Sequence, residues 1–393
     1  MKALVYGLAR SGLAARARLE ERGDTVVVVD GSLGNEDDVA LLDGVELVVK
    51  SPGVPGERPL VEEARRRGIS VWSEVELGWS LLAPAGTRFV GVTGTNGKTT
   101  TAELLGAIFR AAGREVVVAG NVGTPLSSVA DADWVVCEVS SFQLEDVHAF
   151  ACEVAVVLNL EPDHLDRHVS FEAYRAAKLR ILERAAAAVV PRGFGSDGIE
   201  FSAEDPLPAE PLIRGAHNRE NAAAATAAAR AVGIDDAAIA EALRTFPGVP
   251  HRLEPIGEVG GVRYVNDSKA TNVAAALRGL AAYSEEPVHL ILGGSPKGES
   301  FAPLAAAIGP NVRSIHLLGA AAPALAAALG ETDAHDDGAL PRAVSHAAEL
   351  AEPGSVVLLS PACASYDQYE NFERRGEDFR RLVGGLRGDQ RQG

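Results

Sequence analysis

The stretch FVGVTGTNGKTT, residues 89–100, constrains the fold more than any other part of this chain. Phe89 to Val92 has the apolar, β-branched character of a strand, and Thr95 to Gly97 is turn-forming. The run TTAELLGAIFRAAG from Thr99 is a good helix former that Gly113 closes. A strand passing through a glycine-rich turn into a helix is the first half of a βαβ unit, so a parallel sheet is required. Backbone N–H groups at such a helix start, aligned with its dipole, favour an anion. A phosphate-binding loop reads G-x-x-x-x-G-K-[ST]. Here the glycines stand at 91, 94 and 97, and Val92 occupies the place of the first one. The spacing differs, yet strand, turn and helix fall where a phosphate cradle needs them. Gly94, Thr95, Asn96, Gly97, Lys98, Thr99 and Thr100 are therefore read as binding a nucleoside triphosphate, with Lys98 on the phosphates and the Thr99 hydroxyl on Mg²⁺.

Short apolar runs alternate with helical stretches along the rest of the chain, the pattern of doubly wound α/β sheets. Strands are expected at 2–6, 25–29 and 46–49, then at 88–92, 115–119, 134–139 and 154–159. Ala-rich helices are expected near 218–231 and 235–245, and further strands at 262–266, 288–292, 314–318 and 355–359. The breaker-rich connectors LLAPAGTR and TFPGVPHR divide the 393 residues into three α/β domains near 1–84, 85–248 and 249–393. Ligands of open parallel sheets bind at the carboxyl ends of strands. That rule selects Gly7, Asp30, Ser51, Thr93, Asn121, Glu138, Asn159, Asp267, Gly293 and Ser360.

A net charge of −17 argues against nucleic acid or an anionic membrane as the main partner. The apolar runs fall short of the roughly 18–20 residues of a membrane span, and the N-terminus has no apolar signal-peptide core. Cys137, Cys152 and Cys363 form no C-x-x-C and read as the reduced thiols of a cytoplasmic protein. Six lysines (2, 50, 98, 178, 269 and 297) leave 31 of the 37 basic residues as arginine. In such a chain a retained lysine is a candidate for a role that needs an amine.

Four further constellations carry chemistry. Glu138 ends the apolar strand WVVC, where a carboxylate is costly unless it is paired or metal-bound; it is read as a metal ligand or as a cap. Asp163, His164, Asp166 and His168 form a polar loop before a helix from about Ser170. On that helix Phe171, Tyr174, Ile181 and Leu182 make an apolar stripe, with Lys178 in its middle. Lys178 either snorkels to a rim or is a desolvated amine able to add CO₂ and become a metal-binding carbamate. GLARSG (7–12) with Asp30 is a degraded dinucleotide fingerprint, or a tight turn and a strand cap. In the last segment Arg252, Lys269 and Lys297 supply positive charge near glycine-rich strand ends, and Ser365 and Phe372 flank a helix start. Together they suit a small carboxylate-bearing molecule.

Taken jointly, TGTNGKTT, GNVGTP, EVSSFQL, DHLDRH…YRAAKLRI, HN-x-x-N, PHRLE, NDSKATN, GG-x-x-KG and SPACAS-x-DQ-x-x-NFE-x-RG resemble the Mur ligases of peptidoglycan synthesis. The motifs run from residue 91 to 376 in the family's order, and the last two favour the branch that adds D-glutamate to UDP-N-acetylmuramoyl-L-alanine. The resemblance implies three domains: an N-terminal Rossmann-like UDP-binding one, a central P-loop ATPase-type parallel sheet and a C-terminal Rossmann-like amino-acid-binding one. It implies ATP on Thr95 to Thr100, one Mg²⁺ on Thr99 and Glu138, and a second on His164 and carbamylated Lys178. Asn218 and Asn221 would approach the adenine, and Arg252 and Asp267 the phosphate and ribose. Asn121, Ser140, Gln143 and His164 would line the muramoyl substrate, and Arg10, Ser11 and Asp30 its UDP. Thr271, Lys297, Ser365 and Phe372 would hold D-glutamate, with Lys269 near the reacting groups. Ala9 stands where the family has a glycine, which weakens the UDP assignments. A monomer is expected.

Such chemistry needs these residues. A carboxylate is a poor acyl donor until ATP converts it to an acyl phosphate, and metal ions and Lys98 offset the charge that builds on phosphoryl and acyl oxygens. Folylpolyglutamate synthetase is a rival, but the 84-residue α/β segment before the loop argues against it. A GTPase switch should carry N-K-x-D, which the sequence lacks, and a dehydrogenase would not need Lys98 or Thr99.

Overall fold

A computed structural model describes residues 1–195, 197–330 and 332–389. The chain divides into two compact units: Met1–Leu212 with Ala216–Phe246, and Ile213–Gly215 with Pro247 onward. No helix among the described residues is long and apolar enough to cross a membrane.

The first unit holds two sheets. Strands β1 (Lys2–Tyr6), β2 (Thr25–Val29), β3 (Leu47–Lys50) and β4 (Ser70–Ser73) form a parallel sheet in the order β2-β1-β3-β4. Strands β5 (Arg88–Thr93), β6 (Val116–Gly120), β7 (Trp134–Glu138), β8 (Cys152–Val157), β9 (Ala185–Pro191) and β10 (Ile199–Phe201) form the second, in the order β10-β9-β8-β5-β7-β6. It too is parallel throughout. The helix Glu74–Leu82 stitches the two sheets together with buried carboxylates. Glu76 accepts from the backbone N–H groups of His148, Ala149 and Phe150 at 2.8–3.0 Å, and Glu74 from Ser127 at 2.6 Å. Charge-assisted bonds of this kind are the strong ones, and they satisfy loop donors that would otherwise be buried unpaired.

The second unit is built on β11 (Glu254–Val259), β12 (Val262–Asn266), β13 (Val288–Gly293), β14 (Val312–Leu318), β15 (Ala334–Gly338) and β16 (Val356–Ala362), in the order β11-β12-β16-β13-β14-β15. Only the β11–β12 pair is antiparallel.

Every strand expected from the sequence is present within a few residues. Five were not expected: β4, β9, β10, β11 and β15. The run AAAAVVP of β9 reads as helix by propensity, but pairing with β8 and β10 overrides it. AHDDG of β15 has almost no apolar content and is an edge strand held by β14. The expected polar loop at 163–168 contains a helical turn, Leu165–His168, preceded by His164 in the left-handed region at φ 51°. The side chain of Asp166 lies outside the described residues. The helix that carries Lys178 runs over Phe171–Leu179, with Ser170 as its N-cap.

Candidate active site

β5 lies mid-sheet between β8 and β7, so the loop leaving it is flanked by what those neighbours deliver, Asn159 and Glu138. The loop is braced by Asn159. Its Oδ1 accepts from the Asn96 N–H at 2.8 Å, its backbone carbonyl from the Thr95 N–H at 2.8 Å, and its amide donates to the Asn96 carbonyl at 3.2 Å. The Thr95 hydroxyl pairs with Tyr174 at 2.9 Å. Gly97, at φ 84°, caps the helix Lys98–Ala111, and a Cβ there would stand 2.2 Å from Asn221 Oδ1. Only glycine allows that approach. The structure thus sets Asn221, with Asn218 at 3.3 Å from it, directly behind the loop.

Two lysine nitrogens converge on one oxygen. The Gly94 carbonyl accepts from Lys98 Nζ at 2.9 Å and from Lys178 Nζ at 2.8 Å; Lys98 also donates to the Thr95 carbonyl at 3.0 Å. Lys178 is 2 % exposed and sits 4.8 Å from the Tyr174 ring centre. Burial, reinforced by the Lys98 ammonium, lowers its pKa from 10.5 to about 7, against the pull of Asp163 and Glu138. Lys178 does not snorkel, and its surroundings disfavour the charged form of the amine.

Glu138 is buried and accepts from the Asn121 amide at 3.0 Å, while Gly120 and Asn121 turn tightly around its backbone. A buried carboxylate whose hydrogen-bond donor is a neutral amide has the hard oxygen chemistry that Mg²⁺ takes. His164 is placed differently. Its Nε2 lies 3.6 Å from Asp163 and its ring tilts on Phe142 at 4.9 Å; these contacts include neither Glu138 nor Lys178.

Other expected residues are engaged by the fold itself. Asp30 accepts from the Leu8 N–H at 2.7 Å through Oδ2 and from the Ser32 N–H and hydroxyl at 2.9 and 2.6 Å through Oδ1, so one oxygen braces the GLARSG turn and the other caps the turn that follows Asp30. Arg10 opens the first helix and donates to the Gly123 carbonyl at 3.2 Å, and Ser11 follows it in the first turn. Ser140 and Gln143 form a capping box on the short helix Ser141–Leu144, leaving the buried Gln143 Nε2 without a hydrogen-bond partner among the described residues.

In the second unit Asp267 is buried, accepting from the Leu253 N–H at 3.2 Å and the Ser360 hydroxyl at 2.7 Å. Desolvation raises its pKa to about 7, with Arg252 among the groups opposing that rise. Lys269 Nζ lies 5.8 Å from the Phe372 ring centre. Ser365 is buried, its carbonyl accepting from the Gln368 and Tyr369 N–H groups at 3.1 and 2.8 Å. Lys297 is close enough to Cys363 to oppose the burial that raises its thiol to about 11. Thr271 follows Lys269 in a turn closed by a 2.9 Å backbone bond.

Residues 92–192 match the Mur ligase middle domain and residues 251–363 the Mur ligase glutamate ligase domain. The UDP-N-acetylmuramoylalanine–D-glutamate ligase of Anaeromyxobacter dehalogenans is 42% identical, with 96% of each chain covered. The chain belongs to the Mur ligase family. Among solved structures, the UDP-N-acetylmuramate–alanine ligase of Thermotoga maritima shares the fold at a TM-score of 0.62 and 17% identity, covering 98% of this chain and 99% of that one. The bifunctional folylpolyglutamate synthase/dihydrofolate synthase of Yersinia pestis, solved with AMPPNP and a manganese ion, does so at 0.57 and 19% identity, covering 79% and 92%.

One residue of this Mur ligase escaped the sequence reading. Arg375, 0 % exposed, donates to the Ser268 hydroxyl at 3.0 Å and to the carbonyls of Gly293, Ala364, Ser268 and Cys363 at 3.0–3.3 Å. It ties NDSK, the strand-end glycine and SPACAS into one frame with a planar fork that lysine lacks. Its signal was the RG that closes the last motif, which carries no local structural meaning.

Proposed function

We propose that this chain is the ATP-dependent ligase that joins D-glutamate to UDP-N-acetylmuramoyl-L-alanine in peptidoglycan precursor synthesis, acting in the cytoplasm as a monomer. The observation that carries the reading is the 42% identity, across nearly the whole of both chains, to a ligase of that name. The division into 1–84, 85–248 and 249–393 is supported by one sheet falling in each segment. The first would bind UDP, the second ATP and the third the amino acid.

ATP would supply the phosphoryl group that turns the substrate carboxylate into an acyl phosphate, which the amine of D-glutamate then attacks through a tetrahedral intermediate. With the Thr95 and Asn96 N–H groups taken by Asn159, the backbone N–H groups of the helix start from Gly97 to Thr100 would hold phosphate oxygens. Lys98 now donates to two loop carbonyls and would exchange them for phosphate. Thr99 and Glu138 would hold one Mg²⁺, and His164 and Lys178 a second. Lys178 as a cation would repel such an ion. As a neutral amine it adds CO₂, releases a proton to solvent and becomes an anionic two-oxygen ligand; its burial and its pKa near 7 support this. Asn218 and Asn221 would meet the adenine, which their place behind Gly97 supports. Arg252 and Asp267 would reach phosphate and ribose, Lys269 the reacting groups, and Thr271, Lys297, Ser365 and Phe372 the D-glutamate. Arg10, Ser11, Asp30, Asn121, Ser140, Gln143 and His164 would face the UDP substrate, with the unpaired Gln143 amide as one donor.

Phosphate release from ATP that requires both UDP-N-acetylmuramoyl-L-alanine and D-glutamate is the expected result. Hydrolysis indifferent to either substrate would sink the reading.

A further inference from the structure

Four of the nine histidines of this chain, none of them used above, stand together in the second unit. The strand registers bring them there. Ser314 pairs with His289 across β14 and β13, and His316 pairs with His335 across β14 and β15. Asp337 follows two residues after His335, on the same face of the sheet. His346 comes from the helix Leu340–Leu350, which packs on that face.

The side chains converge on one carboxylate. His316 Nδ1 lies 2.8 Å from Asp337 Oδ2 and His346 Nδ1 lies 2.9 Å from Asp337 Oδ1. His316 and Asp337 are buried, and one ligating atom from each of the three residues falls within 4.8 Å of the others. The His335 ring lies against both imidazoles, with centroids 5.4 Å from His316 and 4.5 Å from His346. Among the described residues its buried Nε2 has no hydrogen-bond partner; the Asp333 carboxylate is 3.4 Å away but outside hydrogen-bonding geometry. The Arg342 guanidinium stands 3.6 Å from Asp337 Oδ1 and is three-quarters exposed, so it can swing into solvent.

We propose that His316, Asp337 and His346 form a binding site for a divalent transition-metal ion of the zinc class, distinct from the Mg²⁺ sites of the ligase reaction. Two imidazole nitrogens and one carboxylate oxygen are a borderline donor set of the kind Zn²⁺, Co²⁺ and Ni²⁺ take, and they leave a fourth position open. The surroundings suit ligation. A histidine that binds metal through Nδ1 must carry its proton on Nε2 and needs an acceptor there. Ser314 Oγ provides one, 2.8 Å from His316 Nε2, and the Ser314 hydroxyl can then donate to His289 Nδ1 at 2.7 Å. The same serine serves the metal-free tautomer by donating to His316 Nε2, so the change costs no buried hydrogen bond in that relay. The cation replaces two N–H···O bonds at Asp337 and neutralises a buried carboxylate. It also joins edge strand β15, weak in apolar contacts, to the helix above it.

The test uses the full chain, stripped with chelator and held in excess Mg²⁺ to fill the reaction's own sites, and titrated with Co²⁺. A tetrahedral d–d absorption band saturating near one equivalent is expected, displaced by Zn²⁺. Zn²⁺ should also raise the melting temperature. His346→Ala and Asp337→Asn should each abolish the band and the thermal shift while circular dichroism stays native. Asp337→Asn, nearly isosteric, keeps the test decisive if His346→Ala folds poorly. Failure of the folded wild-type chain to bind Co²⁺ stoichiometrically, or a band that survives both substitutions, would overturn the proposal.

Discussion

Lys50 and Lys178 are both buried lysines of the same compact unit, at 1 % and 2 % exposure, yet they differ in what surrounds the amine. Lys50 ends β3, donates to the Val54 carbonyl at 3.0 Å and stands 3.1 Å from Asp146 Oδ2. That contact is set by charge, for Asp146 Oδ2 makes no well-aligned hydrogen bond. Asp146 also meets Arg65 at 2.9 Å. Lys178 has a carbonyl, an aromatic face and a second lysine, with no carboxylate among the described residues in ion-pair contact. A buried amine facing a carboxylate ties two segments together. One facing a carbonyl and another cation has its charged form disfavoured. Burial alone does not separate structure from chemistry; the partner does.

The sharpest way to break this contrast is Lys178→Ala. Ligase turnover is expected to fall by at least about 10²–10³-fold, the scale of losing one group that stabilises developing charge, and acetate should partly restore it. Full turnover, measured as phosphate release dependent on both substrates, would make Lys178 structural like Lys50. The converse substitution, Lys50→Met, leaves the Asp146 carboxylate buried with Arg65 alone. Urea unfolding should show a loss on the order of 3 kcal/mol with kcat of the folded fraction retained. Next comes pH. The folded chain disfavours charged Lys178, so between pH 7 and 10.5 the unfolded chain binds the extra proton and stability rises with pH. In CO₂-free buffer the wild type should gain up to about 1.4 kcal/mol per pH unit there relative to Lys178→Met. Parallel stability curves would deny the depressed pKa. The smallest effect is expected of Tyr174→Phe, which keeps the ring by Lys178 but removes the hydroxyl bond to Thr95. About 1 kcal/mol, or roughly fivefold in kcat/KM for ATP, is the expected loss.

The loop, Glu138 at its strand end and Lys178 on an apolar helix face were legible because each obeys a local period or follows a strand directly. Asp30 was legible as a cap for its strand end, which it is, but Ser140 was not legible as the cap of its own helix, since nothing in a sequence shows which backbone donors are left needing a partner. Lys50 reads as one more strand-end lysine, because Asp146 lies far off along the chain.

Periodicity, turn residues and motif order by themselves determined the parallel α/β sheets, the glycine-rich strand–turn–helix loop and the family. These are nearest-neighbour properties of the chain. Tertiary structure alone decided that the alanines of β9 pair as a strand, that Arg375 frames three loops and that His316, Asp337 and His346 share one point. It also decided that Lys178 is buried beside a second lysine, which lowers its pKa, while Lys50 faces a carboxylate. Each of these depends on groups far apart in sequence, where desolvation and partner geometry set the energy and local propensity has no vote.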